Sequence, residues 1–263
     1  GNKRKNNRPS HLGVTLLKKK SGTKRKLGIL LLALLLAGGL WIWKYLTPYT
    51  PAANAESAMV SGNGVVVEKN ENWISFEPSF TTGAAIIFYP GGLVEAESYS
   101  TLAKRIAATG HAVYIAQMPL NLPLTKVDAA EEIIRVHPKL SFVLGGHSLG
   151  GVMASRFAAE HSDQLEGVFF LASYPDEKGS LKGTTLAVLS ILGTEDEVIN
   201  RDSYREGRSY LPDNTVYYSV DGGNHAQFGS YGPQKGDGDA TISEDEQQIR
   251  TVRALQDWLG NLR

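Results

Sequence analysis

Residues Gly146-His147-Ser148-Leu149-Gly150 set a serine between two glycines. The apolar run 140–144 leads into them, and 152–159 follows with the residue types of a helix. A strand, a sharp turn and a helix with serine at the tip suit one chemistry, attack of the hydroxyl on an acyl carbonyl. The glycines have a steric reason. Side chains two residues before and after the serine would meet the adjoining strand and helix, so Gly146 and Gly150 carry none. The first N–H groups of the helix would favour the negative charge that develops on a reacting carbonyl.

A serine hydroxyl is a weak nucleophile at neutral pH and needs a base, an orienter for that base and donors for the oxyanion. For a serine on such a turn, the expected order along the chain is serine, acid, histidine. The expected base is His225, in the glycine-rich loop after the last apolar strand. The other histidines open or end elements, precede the apolar N-terminal run or, as His147, sit inside the serine turn. The expected orienter is Asp196, in Gly193-Thr194-Glu195-Asp196-Glu197, with Glu195 and Glu197 as rivals and Asp176 as second choice. The oxyanion donors are expected to be the N–H of Leu149 and one from Pro90-Gly91-Gly92-Leu93, Gly92 first and Leu93 next. Leu93, His147, Asn121 and Gln227 are expected to contact substrate. The segment 118–124 reads equally as an apolar acyl wall or as loop packing, and 229–239 as a short flap. Asp237 and Asp239 hint at calcium, but Ile242 stands where a calcium loop wants glycine, so neither metal nor cofactor is expected.

These residues need a scaffold that brings loop ends together. Short strands are expected at 64–68 and 73–77, perhaps as a hairpin, then strands at 84–89, 112–117, 140–144, 167–172, 186–192 and 215–220. Helices are expected at 98–109, 129–137, 152–161 and 243–262, the last opened by a Ser243/Glu246 capping box. Repeated strand–helix–strand units with continuous apolar strands imply a mostly parallel central sheet with helices on both faces. The stretch between 172 and 186 is too short for a large inserted lid.

Together, Tyr89-Pro90-Gly91-Gly92, the serine turn, Gly193-Thr194-Glu195-Asp196 and Gly223-Asn224-His225-Ala226-Gln227-Phe228-Gly229 resemble the α/β-hydrolase family. More narrowly, they are similar to a compact bacterial branch related to dienelactone hydrolases. The resemblance covers about 65–263 and implies the α/β-hydrolase fold. Dienelactone hydrolases use cysteine, and this chain has none, so a lactone substrate is not implied and Ser148 points to a general ester.

Of the 263 residues, 42% are hydrophobic, enough for one sizeable core. Residues 1–26 carry ten Lys or Arg and no acid, whereas from Thr47 onward sixteen basic residues face 27 acidic ones, a balance of −11. Two such parts suit different surroundings. Between them, seventeen residues from Leu27 to Trp43 pass without a charge, flanked by Lys24-Arg25-Lys26 and by Trp41, Trp43 and Tyr45. Basic residues inside and aromatic residues at the far interface predict a single transmembrane helix over 27–46. The expected organisation is a basic cytoplasmic tail at 1–26, that anchor, a linker at 47–63 and a hydrolase domain at 64–263 outside the membrane. A signal peptide cut near Ala55, after Ala53-Asn54-Ala55, is the alternative; the apolar run is long and the site distant for that reading. The basic tail suits anionic lipid headgroups better than nucleic acid, since no aromatic residues interleave with its charges.

The expected function is a membrane-anchored extracytoplasmic serine carboxylesterase working through an acyl-enzyme on a small-molecule ester. No nucleic acid and no obligate protein partner is inferred. The alternatives are a non-catalytic binding or sensor domain on the same scaffold, and an acyl transferase or thioesterase with the same three residues.

Overall fold

The computed structural model describes residues 21–262. The basic tail expected at 1–26 therefore lies, through residue 20, outside the described residues. The chain divides into two compact units after Thr47. In the first, helix α1 spans Ser21–Leu46. Its leucines are exposed, Leu35 to 73% and Leu40 to 71%. Among the described residues no helix is long and apolar enough to cross a membrane.

The second unit, from Pro48 on, is built on one eight-stranded sheet. Its strands are β1 (Val65–Lys69), β2 (Trp73–Pro78), β3 (Ala85–Tyr89), β4 (Val113–Ala116), β5 (Phe142–His147), β6 (Gly167–Leu171), β7 (Ala187–Gly193) and β8 (Val216–Val220). They lie in the order β1-β2-β4-β3-β5-β6-β7-β8. The β1–β2 and β2–β4 pairs are antiparallel and every other pair is parallel, so the sheet is mostly parallel as the sequence predicts.

Alternation along each strand divides the core into two layers. Ile86, Phe88, Val143, Phe169 and Leu171 pack with α3 (Ser100–Ala107) and α7 (Glu244–Leu259) on one face. Ile87, Tyr89, Leu144, Val168 and Phe170 pack with α4 (Ala129–Val136) and α5 (Leu149–Glu160) on the other. All five residues of β3 and of β6 are buried, which explains their unbroken apolar runs. The Ser243 side chain accepts a hydrogen bond from the Glu246 N–H (3.1 Å) at the start of α7.

Three expectations change. Strand β5 runs to His147, not 144, because Gly145, Gly146 and His147 pair with β6. Glycine is poor evidence for a strand in sequence, but parallel neighbours on both sides hold it there. A helix the sequence reading lacks, α6 (Arg201–Gly207), follows β7; the Asn200 side chain caps it by accepting from the N–H groups of Asp202 (3.1 Å) and Ser203 (2.9 Å). The stretch expected as a linker at 47–63 belongs, from Pro48 on, to the folded unit. A short helix there, α2 (Ala53–Ala58), buries Ala55 and Ala58, and Tyr49 pairs with Val94. Its small residues are packing residues rather than signs of freedom.

Candidate active site

The site forms where β5, β6, β7 and β8 end. Ser148 stands directly before α5 with φ 52° and ψ −127°, a region that disfavours side chains. Its backbone is held from both sides. The Ser148 N–H donates to the Leu171 carbonyl (3.0 Å), and its carbonyl accepts from the Ser173 hydroxyl (2.6 Å). A strained residue persists only when its surroundings over-determine it, at a cost of about 1–3 kcal/mol. The glycines make the turn possible. A Cβ on Gly146 would sit 2.7 Å from the Tyr89 carbonyl oxygen and 2.6 Å from the Gly150 carbonyl carbon. One on Gly150 would strike the carbonyl oxygens of Tyr89 and Pro90. These are backbone atoms with nowhere to move.

After β7, the chain bends so that Asp196 Oδ1 accepts the N–H groups of Val198 (2.9 Å) and Ile199 (2.8 Å). The other carboxylate oxygen, Oδ2, lies 2.8 Å from Nδ1 of His225, and both residues are 1% exposed. A carboxylate here accepts, so His225 Nδ1 carries the hydrogen and Nε2 holds the lone pair. Among the described residues, that Nε2 is buried with no hydrogen-bond partner. His225 and Ser148 both line one cleft of ≈ 220 Å³, with Leu149, Val152, Ala172, Ser173, Tyr174, Val198, Ile199 and Asn200 around it. The rival acids lie elsewhere. Glu197 is exposed, Glu195 accepts from the Thr194 hydroxyl (3.0 Å), and Asp176 is paired with Arg156. Burial acts to raise the Asp176 pKa, but the Arg156 guanidinium outweighs it and holds the carboxyl below its ordinary value.

The profile of the α/β-hydrolase family matches residues 85–249, from β3 through the serine turn, the Asp196 bend and the His225 loop. The chain belongs to the α/β-hydrolase family. No curated protein matches it. Among solved structures, an α/β-hydrolase enzyme from the sediment metagenome of the Mar Chica lagoon, Morocco, aligns with a TM-score of 0.56 at 15% identity, over 74% of this chain and 98% of that one. A Thermus thermophilus protein aligns with a TM-score of 0.53 at 15% identity, over 74% and 98%. The esterase domain of a Rhodothermus marinus protein aligns with a TM-score of 0.53 at 12% identity, over 74% and 96%. Identities this low speak for the α/β-hydrolase fold alone.

In this α/β-hydrolase, the loop after β3 stands beside the serine turn. Gly92 packs against Leu149, where a Cβ would meet Leu149 Cδ2 at 3.1 Å. Among the described residues neither the Gly92 nor the Leu149 N–H has a hydrogen-bond acceptor; the Leu149 group is one of the unpaired donors of a helix start. The Leu93 N–H is occupied, donating to the Asn121 carbonyl (2.6 Å), so Leu93 is no alternative donor.

None of the four residues expected to contact substrate lines the cleft. Leu93 and Asn121 instead hold each other, both at positive φ (57° and 54°). The Gln227 amide turns away and donates to the Ile242 carbonyl (3.3 Å). The segment 118–124 does not supply the acyl wall either; Leu120 and Leu124 are exposed, and the apolar wall comes from Val198 and Ile199 after β7. Nor does 229–239 cover the cleft. Its Asp237 accepts the N–H groups of His225 (3.2 Å) and Ala226 (2.8 Å) and so supports the histidine from behind. Gln247 of α7 braces the same loop, accepting from the Asn224 N–H (3.0 Å) and donating to its carbonyl (2.8 Å).

His147, expected at the substrate, is 1% exposed and bonded at both nitrogens. Its Nε2 faces the His225 carbonyl (3.1 Å), which can only accept, so Nε2 carries the hydrogen. Nδ1 then accepts from the Tyr99 hydroxyl (2.8 Å), and the Tyr99 oxygen accepts the Gly91 N–H (3.0 Å). Neutral groups thus link the loop after β3 to the histidine loop. Burial, then the neighbouring His225, holds the His147 pKa well below its ordinary value; burial raises that of Tyr99, which stays a donor. A buried neutral histidine has a sign for stability. Below about pH 6.5 the unfolded chain binds a proton that the folded His147 refuses, so stability falls as pH drops through that point toward the folded pKa. Thermal melts between about pH 7 and 5 are expected to show the midpoint falling, with a shallower fall for His147→Gln; equal slopes would remove His147 from the cause.

The support that Asp237, Gln247 and Tyr99 give to the histidine loop and its neighbours is absent from the sequence reading. The acidic pair after the histidine loop marked Asp237 as unusual for the wrong reason. Gln247, four residues after the Ser243 cap, and Tyr99, beside a helix start, had no local signal.

Proposed function

We propose that this α/β-hydrolase is a serine carboxylesterase in which Ser148 attacks the acyl carbonyl. His225 Nε2 takes the serine proton and returns it to the leaving alcohol, and Asp196 keeps Nδ1 protonated and stabilises the imidazolium. Water then releases the acyl group by the same route. The N–H groups of Leu149 and Gly92 receive the oxyanion. The observation that carries this reading is the His225 ring, with one nitrogen held by Asp196 and the other buried, unpartnered and in the same cleft as Ser148.

The cleft suggests the substrate's size. At ≈ 220 Å³ it falls below the range of about 300–1,000 Å³ typical of sites for drug-sized ligands, and its apolar wall is short. A small acyl group fits this better than a long chain. We further propose that residues 27–46 anchor the chain in a cell membrane, with the N-terminus cytoplasmic, the basic tail on anionic lipid and the hydrolase domain outside. Release by cleavage near Ala55 is the alternative. One experiment tests both parts. Cells producing the full chain are fractionated, and membranes and medium are assayed with acetyl, butyryl, lauroyl and palmitoyl esters. Activity is expected in the membranes, with kcat/KM for the short esters higher by about tenfold or more. Activity mainly in the medium would refute the anchor, and a preference for the long esters would refute the short-acyl reading.

A further inference from the structure

One short segment ties together the two loops that the reaction requires. Tyr49 donates its N–H to the Leu93 carbonyl (2.8 Å) and accepts the Glu95 N–H (3.0 Å). It therefore grips the stretch directly after Gly92, where Leu93 is held at φ 57°. Three residues on, Ala52 donates its N–H to the Ser230 carbonyl (2.8 Å), five residues beyond His225. The Tyr49 hydroxyl accepts the Lys235 N–H (3.1 Å), and its ring packs on Tyr231 with centroids 5.4 Å apart. Contacts continue inward from there. Tyr231 meets Tyr99 at 6.4 Å, Tyr99 meets His147 at 5.7 Å, and His147 meets His225 at 4.5 Å.

We propose that the strap Pro48–Ala52 is a positioning element of the active site, fixing the Gly92 loop and the His225 loop relative to each other. The proposal rests on the serine hydrolase reading above. Oxyanion donors act only within a few tenths of an ångström of their place, and misplacement by about 1 Å can cost about a hundredfold in rate. A strained loop such as Leu93's keeps its shape only while it is clamped. Among the described residues, the hydrogen bonds and ring contact of Tyr49 and Ala52 go to Leu93, Glu95, Ser230, Tyr231 and Lys235 and not to the residues lining the cleft, so loss of the strap is expected to act on the rate of chemistry rather than on substrate binding.

The test uses the full chain in membranes or detergent, with Tyr49→Ala, Tyr49→Phe and Ala52→Pro. Ala52 has φ −77°, which proline accepts, and its carbonyl still receives the Glu56 N–H (3.0 Å). That substitution therefore deletes the donor to Ser230 and little else. On a short-acyl ester, Ala52→Pro and Tyr49→Ala are each expected to lower kcat by about tenfold with KM within about twofold. Tyr49→Phe, which keeps the ring, should recover most of the loss. Variants with wild-type kcat would overturn the proposal, and so would a loss that merely follows the unfolded fraction in thermal melts. A wild-type chain that neither hydrolyses esters nor takes a fluorophosphonate on Ser148 would instead refute the hydrolase reading, and the strap's role with it.

Discussion

Replacing Ser148 with alanine is expected to lower kcat for ester hydrolysis by about 10⁴-fold or more while leaving the fold intact. The size follows from what the hydroxyl does. Without it no acyl-enzyme forms, and only the oxyanion donors and the cleft still act on bound ester. The fold should survive because, among the described residues, no hydrogen bond from the Ser148 hydroxyl holds the turn; its backbone N–H and carbonyl do. Alanine suffers the same strain at φ 52°, so the melting temperature should hardly move. Glycine is different. Ser148→Gly should be equally inactive yet more stable by about 1 kcal/mol, since glycine adopts this region freely. Steady-state kinetics and thermal melts on the three chains check both statements. Unfolding of Ser148→Ala would mean that the hydroxyl is structural.

Asp196→Asn is expected to lower kcat by about 10⁴-fold, through a proton in the wrong place rather than through lost structure. The carboxylate receives the N–H groups of Val198 and Ile199 on one oxygen and His225 Nδ1 on the other. An asparagine has one oxygen to offer. Turning its NH₂ toward Val198 and Ile199 would set donor against two donors, one of them, Ile199, buried and costing about 1–3 kcal/mol when left unsatisfied. The amide oxygen therefore stays there, and the NH₂ group faces the histidine. His225 must then accept at Nδ1 and carry its hydrogen on Nε2, where it can no longer take the serine proton. The melting temperature should change little, and KM should stay near wild type. A fall in kcat below tenfold would show that another carboxylate orients the base. The rivals Glu195, Glu197 and Asp176 could then be tried in turn, though none of them lies on His225.

The centre of the sheet was legible because strands such as β3 and β6 are buried on both faces and so read as apolar runs. The loops carrying Ser148, Asp196 and His225 were legible because glycine and acid residues stand directly after such strands. What the sequence could not show were contacts made across the fold. Tyr99 lies 48 residues from His147, yet its hydroxyl sits 2.8 Å from that ring. Gln247 supports a loop 23 residues away. His147 looked like a substrate residue because it adjoins the serine, but side chains alternate along β5, and this one points into the core. The helix at Arg201–Gly207 went unread because its seven residues bury only Gly207 and leave no apolar stripe. The segment from Pro48 looked loose because proline and small residues have no pattern of their own. Its order comes from the loops it grips.

The most direct test of Ser148 as the nucleophile is covalent labelling of the full folded chain with a fluorophosphonate, read by peptide mass spectrometry. The probe takes the place of the ester and stays on the attacking oxygen. One phosphonate is expected per chain, on the peptide containing Ser148, with no adduct on Ser148→Ala and a greatly slowed adduct on His225→Ala. A folded wild-type chain that takes no label, or takes it on a different serine, would contradict the assignment of Ser148 as the nucleophile.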